Sequence, residues 1–240
     1  MAHTPLPIHV VVTCEHGGNG IPAEYAALFA HAEAELASHR GYDPGTLELA
    51  KRLAKALGAP VFSTTVSRLL IELNRSPDHP RLFSEFTRRL NRESKERLID
   101  EHYRPYRDKV QEAIAERCGS GRCLHVSVHS FTPIWKGKPR TTDLGLLFDP
   151  SRIWEAAICE DWRKRLRRET PGRRIHFNLP YRGTSDGFTT HLRRFFPDNC
   201  YAGIEIEVNQ RFPLNGDELW EAVQSEIVET AITLMRSRSI

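Results

Sequence analysis

No stretch of this 240-residue chain comes near the roughly 20 consecutive apolar residues needed to cross a bilayer. A helical membrane protein is therefore excluded. The amino terminus has no apolar core of signal-peptide type, so the sequence reads as soluble and cytoplasmic. There is no excess of one charge: 34 Lys and Arg stand against 31 Asp and Glu, a net of +3. That balance argues against a nucleic-acid partner unless basic residues form a concentrated patch. Arg163 to Arg168 and Arg173-Arg174 are such clusters, but acidic neighbours and a lack of interleaved aromatics make them a solvated helix face and turn. The five cysteines form no tight CxxC pair, and an odd number leaves at least one thiol free. Cys14 and Cys159 sit in apolar surroundings as small core residues, while Cys118 and Cys123 flank Gly119-Ser120-Gly121 and read as reduced. No Gly/Ser-rich or Pro-rich linker and no fixed-period repeat interrupts the chain, so one domain is expected over residues 1–240.

Short apolar runs alternate with longer segments of helical spacing. Strands are predicted at Ile8 to Thr13, Val61 to Thr64, Leu69 to Leu73, Leu124 to Val128, Leu144 to Phe148, Ile175 to Asn178 and Ala202 to Val208. Helices are predicted at Ala23 to Leu36, Thr46 to Leu57, Arg97 to Arg117, Ile153 to Arg168 and Glu218 to Met235. This order implies an α/β three-layer sandwich with a central mixed, mostly parallel sheet. The hairpin-like spacing near Ser63 to Leu69 is the reason to expect an antiparallel component. Ligands in such folds collect at the carboxyl ends of strands.

Four strand ends carry unusual chemistry. The first apolar run ends in Glu15 and His16 before the glycine turn Gly17-Gly18-Asn19-Gly20. The second is Leu70-Ile71-Glu72-Leu73-Asn74-Arg75. In the third, the two-residue strand period puts His125, Ser127 and His129 on one face. In the fourth, it aligns Glu205, Glu207 and Asn209. Carboxylates inside a sheet need a metal, a cation or solvent to compensate them; otherwise this is an edge strand with its polar face in water. His16 and His129 are the best metal-ligand candidates because each ends an apolar run. His125 lies deeper and suits a supporting or core position, and His3, His9 and His31 have no comparable setting.

His16-Gly17-Gly18-Asn19 with Pro22, Glu72-Leu73-Asn74-Arg75, Val128-His129-Ser130, Asn178 to Gly183 and Ile206-Glu207-Val208-Asn209 occur in an order that resembles the N-formylglutamate amidohydrolase family. The segments span most of the chain. The resemblance implies a zinc-peptidase-like fold, Zn2+ as cofactor and hydrolysis of the amide of a small carboxylate-bearing N-acyl amino acid. The reference reaction converts N-formyl-L-glutamate to formate and L-glutamate. His16 and His129 match metal ligands, Glu207 a general base, and Arg75 a holder of substrate carboxylate. Arg182 is expected to bind a second carboxylate or to stabilise charge on the carbonyl oxygen; the simpler reading pairs it with Asp186 in a rigid turn. Asn74, Ser130, Tyr181 and Glu205 complete the expected substrate surroundings, and Glu205 is also a candidate to ligate metal or orient a histidine. Related metallohydrolases place a glutamate three residues after the first histidine, where this chain has Asn19. The third ligand is then Asn19, Glu15 or a residue elsewhere. Two alternatives stay open: a carboxypeptidase-like enzyme acting on a peptide or peptidoglycan fragment, and a noncatalytic dicarboxylate-binding protein. The apolar helix faces do not reveal an oligomeric state.

Overall fold

Strand β1 (Ile8–Cys14) has three successive valines, and both of its faces are covered. Such a run suits the middle of a parallel sheet, where helices cover both sides. The computed structural model describes residues 6–237, so His3 lies outside it. The main sheet also contains β2 (Val61–Ser63), β3 (Arg122–Phe131), β6 (Leu144–Leu147), β7 (Ile175–Phe177) and β8 (Tyr201–Asn209), in the order β2-β1-β3-β8-β6-β7. A separate two-stranded hairpin is formed by β4 (Ile134–Trp135) and β5 (Lys138–Pro139). Lys136 and Gly137 link these strands, both with positive φ (49° and 75°), as a tight hairpin turn requires.

The helices are α1 (Glu33–Leu36), α2 (Thr46–Leu57), α3 (Arg92–Leu98), α4 (Arg104–Ser120), α5 (Ile153–Glu169), α6 (Phe188–Leu192) and α7 (Asp217–Arg236). On one face of the sheet, Val10, Val12, Val126, Val128, Ile204 and Ile206 pack against α2, α5 and α7. The opposite face meets α4 and α6. The chain is thus a three-layer α/β sandwich with a mixed, mostly parallel sheet. Strand alternation sends valine and isoleucine into the first layer and leaves His125, Ser127, His129, Glu205, Glu207 and Asn209 for the other. Among the described residues, no helix is long and apolar enough to cross a membrane.

Four local expectations are corrected. Among the described residues, the only antiparallel pairing within the main sheet joins β6 to β8, whereas Val66 makes just an isolated parallel bridge to Gly20. Leu69 to Leu73 is a series of turns, not a strand. Ser67 starts those turns, its hydroxyl accepting from Leu69 N at 3.2 Å and its carbonyl from Leu70 N at 2.9 Å. The apolar run is instead buried in a cluster off the sheet with Tyr25, Phe29, Leu82 and Leu98. Residues 23–36 are not one helix: a 3-10 segment (Ala23–Phe29) is separated from α1 by Ala30 to Ala32. The predicted Arg97 to Arg117 helix is longer, because α3 runs through a π-helical turn at Ile99–Tyr103 into α4.

Two glycine segments position the site. A Cβ on Gly17 would fall 2.9 Å from the Thr64 carbonyl oxygen, and one on Gly18 2.7 Å from that of Thr65. The turn after His16 therefore packs directly on the chain leaving β2. A Cβ on Gly145 would meet the Leu179 carbonyl at 2.1 Å, and one on Gly183 the Phe148 nitrogen at the same distance. These close approaches dock the Asn178 to Gly187 loop on β6, and the Asn178 amide oxygen accepts from Phe148 N (3.1 Å) and Gly183 N (2.9 Å).

Candidate metal centre

The carboxyl ends of β1 and β3 bring His16 and His129 together, with ring centroids 5.0 Å apart. Between them stands Asp43, from the loop preceding α2. Its Oδ2 lies 3.2 Å from His16 Nδ1 and 3.1 Å from His129 Nδ1. The ligand atoms offered by these three buried residues all fall within 4.8 Å of one another. Asp43 is fixed by its own backbone: its N–H donates to the His16 carbonyl at 2.9 Å, and its carbonyl accepts from the Thr46 hydroxyl at 2.7 Å.

Each imidazole meets a carboxylate on its other side. His16 Nε2 contacts Glu72 Oε1, and His129 Nε2 lies 3.2 Å from Glu15 Oε2 and 2.9 Å from Ser127 Oγ. Carboxylates in this relation fix the tautomer and orientation of a ligating histidine. Glu15 also accepts from Ser127 Oγ at 2.7 Å and Tyr106 OH at 3.0 Å. Glu72 accepts from Arg68 Nε at 2.8 Å and Asn74 N at 3.0 Å. Arg68 also reaches Asp43 Oδ1 at 3.2 Å, joining the two carboxylates.

The charges fit these contacts. Burial alone would raise Asp43, Glu15 and Glu72, but His16 and His129 around Asp43, His129 beside Glu15, and Arg68 beside Glu72 hold all three well below the usual carboxylate range. Burial opposes charge on His129, yet Asp43 and Glu15 push its pKa well above the ordinary value. Glu207 behaves differently. Burial drives it up to about 8, His129 opposes this, and Asp43 and Glu205 add to it. It pairs with His129 in register across β3 and β8, is only 5% exposed, and its Oε2 has no hydrogen-bond partner among the described residues. A buried carboxylate oxygen left without a donor, beside His129 and within electrostatic reach of Asp43, is the arrangement a cation would complete. The residues present fit a divalent metal of the zinc type, which accepts imidazole nitrogen and carboxylate oxygen.

The remaining expected residues are placed as follows. Glu205 aligns with Ser127 and accepts from Thr189 Oγ1 at 2.6 Å. Asn74 lies with Nδ2 3.3 Å from His129 Nε2, and its oxygen accepts from Phe188 N at 2.6 Å. Ser130 donates to the Pro44 carbonyl at 3.1 Å, and its N–H reaches Asp43 Oδ2 at 3.4 Å. Arg75 donates to the Asp186 carbonyl, while the Asp186 carboxylate takes Ser76 N at 3.0 Å. Arg182 is exposed and forms no ion pair with Asp186 among the described residues. The Tyr181 hydroxyl accepts from Arg140 Nη1 at 3.2 Å. Asn19 is exposed, apart from the His16, Asp43 and His129 cluster, and its amide donates to the Leu36 carbonyl at 3.0 Å. His125 is enclosed between Thr13 Oγ1 and Tyr201 OH, each at 2.8 Å, and burial lowers its pKa to about 4. β8 lies between β3 and β6, so its acidic face is interior and not an edge in water. Asp43, Arg68 and Tyr106 were not anticipated. Asp43 sits in Gly41-Tyr42-Asp43-Pro44-Gly45, whose composition signals only a turn.

A cavity of about 410 Å³ between β2 and the start of α4 is not at the cluster; it touches this network through its lining residue Tyr106.

A three-layer sandwich with histidines and an aspartate gathered at its strand ends has the zinc-peptidase-like hydrolase architecture. The profile of the N-formylglutamate amidohydrolase family matches residues 8–213, and the chain belongs to that family. No curated protein matches the sequence. A gene product of Agrobacterium tumefaciens is similar in structure, with a TM-score of 0.77 and 27% identity over 95% of this chain and 89% of that one. The N-formylglutamate amidohydrolase of Ralstonia eutropha JMP134 shares the fold, with a TM-score of 0.72 and 17% identity over 98% of this chain and 95% of that one.

Proposed function

We propose that the protein is a zinc-dependent amidohydrolase that cleaves the amide bond of a small N-acyl amino acid, with N-formyl-L-glutamate as reference substrate. The observation carrying this reading is the buried Oε2 of Glu207, without a hydrogen-bond partner among the described residues, on a residue in register with His129 of the His16, Asp43 and His129 cluster. Family membership supports the same chemistry. His16, Asp43 and His129 would hold the metal, which supplies electrophilic polarisation of the scissile carbonyl and lowers the pKa of water. A cation there also favours the ionised form of Glu207, whose charge is otherwise opposed by burial.

Ionised Glu207 takes a proton from the attacking water and delivers it to the departing amine nitrogen as the C–N bond breaks. The products are a carboxylate and a free amino acid. Glu15 and Glu72 hold the two imidazoles in orientation from behind. Asn74 and Ser130 keep their neighbours His129 and Asp43 in place. Arg75 and Arg182 are candidates for substrate carboxylates, with Arg182 the less constrained of the two.

The test measures formate release from N-formyl-L-glutamate by purified protein before and after chelation, and again after zinc is restored. Activity is expected to disappear and return. Full turnover after verified removal of bound metal would overturn the mechanism.

A further inference from the structure

Arginines near the carboxyl ends of β3 and β8 differ in what already occupies them. Arg68 is committed to Asp43 and Glu72, and Arg211 to Asp143. Arg75 donates to the Asp186 carbonyl. Arg140 has no carboxylate partner among the described residues, yet its position is tightly defined. Its guanidinium carbon lies 5.6, 5.2 and 5.1 Å from the ring centroids of Phe131, Trp135 and Tyr181. Among the described residues its side-chain hydrogen bonds all come from Nη1, to the Thr132 carbonyl (3.4 Å), Thr132 Oγ1 (3.3 Å) and Tyr181 OH (3.2 Å). Nε and Nη2 make no hydrogen bond among the described residues, and neither is buried without a partner. That edge of the fork faces water.

Arg140 lies at the carboxyl end of β8, on the same side as the candidate site. Hairpin β4–β5 begins just beyond the end of β3, and the Arg140 carbonyl accepts from the Asn209 amide at 3.5 Å. Asn209 follows Glu207 by two residues on β8. Tyr181 lies within electrostatic reach of Arg68, and His39 within reach of Arg68, Asp43 and Arg140 together. A guanidinium flanked by aromatic rings loses hydration on its faces while keeping two parallel donors free for a carboxylate.

We propose that Arg140 anchors a carboxylate of the substrate, with Trp135 and Tyr181 as the walls of that subsite. Hairpin β4–β5 then determines which N-acyl amino acids are accepted. The role as a substrate subsite rests on the amidohydrolase reading, whereas carboxylate binding can be tested without it. Trp135 is 49% exposed, while Trp154, Trp162 and Trp220 are buried, so tryptophan fluorescence reports on this subsite.

The experiment titrates N-acetyl-L-glutamate and its neutral diamide into zinc-loaded wild type, Arg140→Gln and Arg140→Lys. Wild type should bind the acid at least about tenfold more tightly than the diamide, as expected for a charge-assisted pair. Arg140→Gln should lose the share of that preference owed to the carboxylate Arg140 holds, and Arg140→Lys should restore part of that share by charge without the fork. Equal affinity of wild type for acid and diamide would overturn the proposal, as would an unchanged preference in Arg140→Gln or no saturable binding of the acid. Release of the free amino acid from a panel of N-acyl amino acids, N-formyl- and N-acetyl-L-glutamate included, is measured in parallel. Arg140-dependent binding without turnover of any N-acyl amino acid would sink hydrolysis and leave the carboxylate site standing.

Discussion

Asp43 Oδ2 stands 3.1 Å from His129 Nδ1, joining residues 86 positions apart in the chain. The same oxygen lies 3.2 Å from His16 Nδ1, so one carboxylate faces the same nitrogen of both rings. The two Nε2 atoms are turned away, towards Glu72 and Glu15. That polarity separates the group of atoms suited to hold a metal from the groups behind it.

Asp43→Asn should lower zinc affinity more than the roughly 10- to 100-fold expected when a supporting partner is lost. Asn19→Ala should leave it within about twofold, since the Asn19 amide is used on the Leu36 carbonyl. Metal bound per chain, read by elemental analysis after dialysis against a buffered zinc concentration, checks both. Zinc loss in the Asn19 variant with retention in Asp43→Asn would exchange their roles.

Glu207→Gln should reduce turnover by roughly 100-fold or more while zinc content stays near normal, because it removes the proton acceptor. Glu205→Gln should act on substrate positioning or metal retention, as Glu205 is held by Thr189 at 2.6 Å. Steady-state rates on zinc-loaded variants decide between the two. Near-normal turnover in Glu207→Gln rejects it as the base, and abolished turnover in Glu205→Gln alone would transfer the role.

The metal-free protein should show a pH dependence traceable to Glu207. Its pKa is near 8 in the folded chain against an ordinary 4.5, so the folded state holds the proton more tightly than the unfolded state. Its contribution to stability is fully present below pH 4.5 and is lost as pH rises through 8. Glu207→Gln mimics the protonated form. It should match wild type near about pH 4 and be more stable by about 2 kcal/mol or more near about pH 9. Urea unfolding of both chelated proteins measures the difference, and equal stability at the higher pH would contradict a buried, unpaired carboxyl.

Much of this arrangement is legible in the sequence because strand alternation is local. The two-residue period places His129 and Glu207 on polar faces, and the valines and isoleucines between them mark the opposite layer. Their mutual alignment is not local; it follows from β3 and β8 being neighbours, with Ser127 opposite Glu205 and His129 opposite Glu207. Asp43 was missed because an aspartate among glycine and proline has an ordinary use in turns, and only the packing of its loop on His16 separates the two. Leu69 to Leu73 misled for a related reason. A short apolar run buried by turns has the same composition as a buried strand.

Glu15 follows β1 directly beside His16 in sequence, yet its carboxylate serves His129, and this yields the sharpest test of the centre. Ser127 Oγ at 2.7 Å and Tyr106 OH at 3.0 Å fix one oxygen each, and Oε2 lies 3.2 Å from His129 Nε2. A carboxylate so placed orients the ring and strengthens its other nitrogen as a ligand without touching the metal. Glu15→Gln keeps the shape but removes the charge, so zinc affinity should fall by about 10- to 100-fold, less than in Asp43→Asn. Tyr106→Phe removes one donor to Glu15 and should produce a smaller loss in the same direction. Competition with a zinc-binding dye gives all three affinities on one scale. If Glu15→Gln matched Asp43→Asn, Glu15 would have to be counted as a direct ligand. If it had no effect, Ser127 at 2.9 Å would suffice to hold His129, and the carboxylate would serve only as the acceptor for Ser127 and Tyr106.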